Sequence, residues 1–196
     1  MAMRLQALFT VAGLAAVLGA CTPAAEVDNA MWPKAGQSAD FSFLPEVRTA
    51  AAACIVSELN GPQNLASLQE KGYAPFKDVG RTGLMKSVPL GGKGFFDDVE
   101  VVRVSDKARF DCSIEVPRNK GYTALAEIGA ELIRQGYALQ RIGGQERYIG
   151  NGKRFRLSGK TSLYTPWATI DLGLVDGKVD RTCRDTSLPA NLREGC

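Results

Sequence analysis

Four cysteines, Cys54, Cys112, Cys183 and Cys196, constrain this chain most, because two of them sit in segments whose periodicity fixes the direction they point. Arg109 to Val116 alternates, with Phe110, Cys112, Ile114 and Val116 on one face and Arg109, Asp111, Ser113 and Glu115 on the other. That is the pattern of a half-buried strand with Cys112 turned inward. In Glu46 to Leu59 the apolar positions Val47, Ala51, Cys54, Ile55 and Leu59 share one helical stripe, so Cys54 also faces the core. An even set of cysteines in an oxidising compartment reads as disulfides, and four of them permit three pairings. A Cys54 to Cys112 bridge would pin the helix to the sheet and contribute roughly 4 kcal/mol on the loop-entropy model. Cys183 with Cys196 would then close the carboxyl-terminal tail, for roughly 3 kcal/mol on the same model. Zinc is disfavoured, since the chain has no histidine and no CxxC pair.

The remaining segments read as a helix or strand in turn. Pro45 suits the first turn of the Glu46 to Leu59 helix, and Asn60-Gly61-Pro62 stops it. A short second helix fits Asn64 to Lys71, with Asn64 as N-cap and Gly72 just past its end. Val79 to Gly94 carries several glycines and is expected as a mobile loop. Val99 to Val104 is a strand in which the apolar parity switches between Val101 and Val102, the signature of a bulge. Tyr122 to Gln135 is the longest helix, with Leu125, Ile128 and Leu132 inward, and Gly136 ends it. Tyr137 to Ile142, Glu146 to Ile149 and Lys153 to Leu163 have strand character, and Asn151-Gly152 is a strong hairpin signal. Trp167 to Val175 alternates with Ala168, Ile170, Leu172 and Leu174 inward, before Asp176-Gly177 turns the chain.

Two stretches echo one another, Leu68-Gln69-Glu70-Lys71-Gly72-Tyr73-Ala74 and Leu132-Ile133-Arg134-Gln135-Gly136-Tyr137-Ala138. Each is a helix end, a glycine and a tyrosine that starts a strand, and each precedes several strands. The expectation is an α+β fold: an antiparallel sheet with two or three helices on one face, arranged as two tandem halves of helix followed by strands. Tandem units of this kind also occur in the β-lactamase-inhibitor protein and in the small lipoprotein of the outer-membrane assembly machinery. No motif of either is present, so the parallel is architectural.

The absence of histidine removes the commonest general base and the usual partner of serine and cysteine nucleophiles. No G-x-S-x-G elbow, P-loop, S-x-x-K motif or dinucleotide fingerprint occurs. Asp97, Asp98 and Glu100 form an acidic cluster that could hold a hard cation or do paired-carboxylate hydrolysis, although such charges are usually solvated. Gly91-Gly92-Lys93-Gly94 lacks the strand and helix that would make it a phosphate cradle. The basic hairpin carries more weight. A two-residue turn at Asn151-Gly152 sets Arg147 opposite Arg156 and Ile149 opposite Arg154, with Tyr148 and Phe155 inward. Arg147, Arg154, Arg156 and Lys160 then gather on one outer face, where an anionic partner or neighbouring carboxylates must relieve their repulsion. A net charge of +3 is too small to imply nucleic acid. No cofactor or metal is expected.

At the amino terminus, Arg4 precedes an apolar run, Leu5 to Leu18, that is too short to span a bilayer and ends in Leu18-Gly19-Ala20-Cys21. This segment resembles the signal and lipobox of bacterial lipoproteins. The resemblance implies that residues 1–20 are removed and that Cys21 becomes the acylated first residue. Several acyl chains, at about 0.8 kcal/mol per buried methylene, would hold it to a membrane. Thr22, where the class uses aspartate for inner-membrane retention, points to the outer membrane and a periplasm-facing domain. Residues 21–40, rich in Ala, Pro and polar side chains, read as a flexible tether, and 41–196 as a single domain of ordinary size with 45% hydrophobic residues across the chain. The functional expectation is a non-catalytic envelope lipoprotein acting as a binding or assembly module. Its partner would be an envelope protein or an anionic lipid or glycan, met at Arg147, Arg154, Arg156 and Lys160. Two alternatives stand beside it: an inhibitor or stress protein using the Val79 to Gly94 loop to block another protein's cleft, and an envelope hydrolase using Asp97 and Asp98.

Overall fold

A computed structural model describes residues 41–78, 81–89, 99–106, 111–161, 163–178, 180–184 and 186–196. The lipobox, the tether, Asp97, Asp98 and the Gly91 to Gly94 run lie outside them. Helix α1 (Phe43–Asn60) is followed by a 3-10 helix (Pro62–Lys71) and four strands: β1 (Ala74–Asp78), β2 (Arg81–Pro89), β3 (Val99–Asp106) and β4 (Asp111–Pro117). Helix α2 (Gly121–Arg134) leads into β5 (Ala138–Ile142), β6 (Gln145–Gly150), β7 (Lys153–Thr161) and β8 (Trp167–Leu174). All eight strands form one antiparallel sheet in the order β1-β2-β3-β4-β8-β7-β6-β5. The fold is α+β, and the last strands of its two helix-then-strands halves, β4 and β8, join them from Asp111↔Gly173 to Pro117↔Trp167.

The echoed stretches are structurally matched helix exits. Gly72 and Gly136 take left-handed backbones, φ 83° and 90°, a conformation that suits glycine. Tyr73 N–H donates to Leu68 O at 3.1 Å, and Tyr137 N–H to Leu132 O at 3.0 Å, the long-range bond of a Schellman cap in both halves. One difference from expectation lies in the first of them. The 3-10 helix begins at Pro62 with Gly61 as its cap, so Asn64 is inside it. Pro62 has its φ preset for a first helical position and needs no N–H there, which moves the start upstream.

Both helices pack on the same face of the sheet. Val47, Ala51, Cys54 and Ile55 of α1 and Ile128 and Leu132 of α2 are fully buried against Val102, Val104, Cys112, Ile114, Ile170 and Leu172. Leu59, at the end of the α1 stripe, is instead 37% exposed. The disulfides are Cys54–Cys112, joining α1 to β4 at a Cα separation of 5.5 Å, and Cys183–Cys196, closing the tail. Both bridges and the described core lie between Phe43 and Cys196.

Two local expectations fail, one because β3 is covered on both faces and one because an inward charge interrupts the pattern of β2. Val101 and Val102 are both buried without a bulge, and β3 runs in continuous register with β2, Val101 opposite Ser87 and Val102 opposite Lys86. Val102 joins the main core, whereas Val101 joins Phe76, Met85 and Trp167 in a second cluster on the far face. The Arg103 guanidinium lies between the rings of Phe76 and Trp167, 4.5 and 4.8 Å from their centroids, with Glu115 at 3.7 Å. The expected loop over Val79 to Gly94 is also corrected, because Arg81–Pro89 is β2. Its alternation is hidden by Lys86, which points inward, is buried, and donates to Glu46 Oε1 of α1 at 2.7 Å.

Candidate functional site

Two ends can be distinguished along β4 and β8. At one, Glu58 near the end of α1 accepts hydrogen bonds from Cys112 N–H at 2.9 Å and Leu174 N–H at 3.0 Å. The carboxylate fastens the helix to two neighbouring strands, and the same end opens into a cleft of about 650 Å³. Its walls carry Glu58, Asp111, Arg147, Arg156, Asp176, Asp180 and Arg181 over an apolar floor of Leu174 and Val175.

The β6–β7 hairpin reaches this cleft through the expected turn. Asn151 and Gly152 both have positive φ, 53° and 69°, as a type I′ turn requires. Tyr148 pairs with Phe155 and Ile149 with Arg154, in the register read from the sequence, and Tyr148 and Phe155 are buried in the main core. The cations on the opposite face are held individually. Arg147 Nε donates to Asp180 Oδ2 at 2.8 Å and its Nη1 to Glu146 O at 2.8 Å, while Nη2 donates to Gln145 Oε1. Arg156 pairs with Asp111 across the cleft mouth. Lys160 Nζ lies 3.2 Å from Asp171 Oδ2, far along β7 from the cleft.

Arg154 departs most from the exposed face expected of it. It is 1% exposed, and its guanidinium is roofed by the carboxyl-terminal strap, residues 180–196. Nη1 donates to Thr182 Oγ1 at 2.5 Å, Nη2 to Leu192 O at 2.5 Å, and Nε and Nη2 to Glu194 O at 3.3 and 3.2 Å. Gly152 N–H is capped by Glu194 Oε1 at 2.5 Å. The approach is close enough that a Cβ on Gly195 would fall 2.5 Å from the Lys153 carbonyl carbon. Thus the repulsion along the hairpin is relieved by the chain's own carbonyls and carboxylates. Nothing in the local sequence of the hairpin signalled the burial of Arg154, because its acceptors, Thr182, Leu192 and Glu194, come from the far end of the chain.

The Asp180 carboxyl is not poised as a general acid. Burial alone would raise the Asp180 carboxyl, but hydrogen bonds from Arg147 and from Thr182 N–H (2.9 Å) outweigh it and hold the group below the usual aspartate range. A general acid at neutral pH needs the opposite shift. Asp111 holds the Arg156 guanidinium in its charged form, and burial lowers that of Arg154. All four cysteines of the described fold are in disulfides. Among the described residues no group of His, Cys, Asp or Glu is placed to hold a metal, and no helix is long and apolar enough to cross a membrane. Glu100 lies in β3 with its backbone opposite Val88. No family model matches the chain, and neither a curated protein nor a solved structure does.

Proposed function

We propose that this chain is a non-catalytic envelope lipoprotein, anchored through Cys21, whose folded domain is a binding or assembly module for another envelope protein. The observation that carries the reading is the cleft: large enough for a few side chains, lined by paired charges of both signs, and furnished with a carboxylate held ionised. A simple anion would have to displace Asp180 and Asp111 from their arginines. A polypeptide segment with acidic and basic side chains can exchange partners with those pairs while Leu174 and Val175 take its apolar atoms. The site is therefore Arg147 and Arg156 with their carboxylates Asp180 and Asp111, and Arg181 in the same lining. Arg154 serves the strap, and Lys160 belongs to the other end of the molecule. The lipobox resemblance supports the anchor, and the two disulfides suit an oxidising compartment.

Two experiments test the parts separately. Metabolic labelling with a tagged fatty acid should mark the wild type and not Cys21→Ser, and equal labelling of both would refute the anchor. Chemical cross-linking in intact cells should join the wild type to a recurrent protein. In an Arg156→Glu/Arg181→Glu variant that product should fall about tenfold or more, as the loss of one well-placed charge pair is worth about 1.5 kcal/mol or more. An undiminished product in the folded variant would remove the cleft as the site.

A further inference from the structure

The two disulfides differ in what can reach them. Cys54 and Cys112 are 0% and 1% exposed, and their bridge lies between α1 and β4 in the main core. Cys196 is exposed and Cys183 half-buried, so the second bridge meets solvent. Thiol–disulfide exchange requires an attacking thiolate to touch a sulfur, and access therefore separates the two bridges.

What the accessible bridge closes is the strap. Among the described residues none after Leu174 belongs to either apolar cluster, so the strap is held to the sheet by polar contacts and by its own bridge. Those contacts are the bonds of Arg154 to Thr182, Leu192 and Glu194, and of Gly152 N–H to Glu194. The bridge also sits against the cleft wall. The Cys196 carbonyl approaches Gly177 so closely that a Cβ there would collide with it, and Gly177 follows the cleft-lining Val175 and Asp176. At the other half of the bridge, Cys183 ends the 3-10 turn that Asp180 caps through Thr182 N–H, and Asp180 and Arg181 line the same cleft.

We infer that Cys183–Cys196 is a redox latch: reduction by a dithiol frees the strap and with it the Asp180 and Arg181 side of the cleft, while Cys54–Cys112 and the sheet stay closed. A thiolate of the dithiol attacks Cys196 Sγ, the S–S bond breaks, and Cys183 leaves as a thiolate that takes a proton from water. The second thiolate of the dithiol then attacks its own sulfur in the mixed disulfide and releases Cys196. Two electrons reach the bridge, which ends as two thiols, and the reductant ends as a disulfide. The freed strap no longer fixes the Asp180 turn that holds Arg147, so the contact surface loses part of its preorganisation. The effect on a partner rests on the proposed function; the release of the strap does not.

The test uses the full chain, folded and without denaturant. Treated with dithiothreitol and then alkylated, it should take label on Cys183 and Cys196 about tenfold or more faster than on Cys54 and Cys112. Hydrogen exchange read by mass spectrometry follows the strap. In the reduced protein, and in Cys183→Ala/Cys196→Ala without reductant, exchange over residues 180–196 and at the Asn151-Gly152 turn should rise about tenfold or more, since closing a loop of this size restrains it by at least that much. Helix α1 and strand β4 should keep their wild-type protection, and a variant that loses it is unfolded, in which case the dithiothreitol arm decides. In intact cells the cross-linked product of the variant should fall about fivefold or more, because two side chains of the cleft wall must be ordered again on binding. Equal labelling of all four cysteines, or strap exchange indifferent to reduction and to substitution, overturns the latch. An undiminished cross-linked product from a variant with a freed strap overturns its control of the cleft. A wild type without any product refutes the cleft as the contact site, and labelling and exchange still decide the latch.

Discussion

Asp180 shows how a single side chain couples the tail to the sheet. It is 8% exposed, takes Arg147 on one oxygen and the Thr182 N–H on the other, and initiates the 3-10 turn that leads to Cys183. Its carboxyl is held below its unfolded value by those bonds, in spite of burial. A depressed folded-state value means stability that is fully present above the unfolded aspartate pKa, near 4, and is lost as the pH falls through the folded value. The wild type should therefore lose stability below about pH 4 in part through this group. In Asp180→Asn that share of the acid dependence should vanish, and the neutral-pH stability should drop by about 1–3 kcal/mol for the partner left behind. Chemical denaturation at neutral and acid pH measures both. An Asp180→Asn variant as stable as the wild type at neutral pH would show that the pair does not hold the tail.

At the level of elements, the strap is the least expected part of the fold and the most dependent on one residue. Arg154 satisfies Thr182, Leu192 and Glu194 at once from beneath the strap. Arg154→Ala should destabilise the domain by about 3 kcal/mol, since several buried acceptors lose their donor together. It should also expose the bonds after Arg181, Arg184 and Arg193 to limited trypsin digestion while the sheet resists; an unchanged digestion pattern would argue against the strap's dependence on it. The sequence displayed those elements whose side chains keep an apolar and polar alternation or a turn signal, even where, as in β4, the polar face is buried as well. The β6–β7 turn, the inward faces of β4 and β8, and the glycine–tyrosine exits of both halves were all readable in this way. It concealed β2, where an inward Lys86 finds its partner on α1. It also disguised β3, whose two faces are both buried and so show no alternation. The candidate site was half legible for a related reason. Parity placed Arg147, Arg154, Arg156 and Lys160 on one face, but which of them meets solvent depends on residues 180–196 folding back, and no local pattern carries that information.

For the whole molecule, the antiparallel junction of β4 with β8 sets two ends about 20 Å apart, the length of their seven paired residues. The start of α1 and the exposed Tyr122, Leu163 and Tyr164 share one end, and the end of α1, the strap and the charged cleft share the other. A helix of 18 residues, about 27 Å long, runs between them and is bolted to the sheet by Cys54–Cys112. On the proposed function the partner meets the cleft end of the molecule and not the other. Site-specific photo-cross-linking in intact cells tests that claim most directly, with the photoreactive residue placed at Lys178, an exposed position two residues from the cleft-lining Asp176, in one strain and at Leu163 in another. The account predicts a discrete protein adduct from position 178 and none from 163. Protein adducts from position 163 with none from 178 would contradict it.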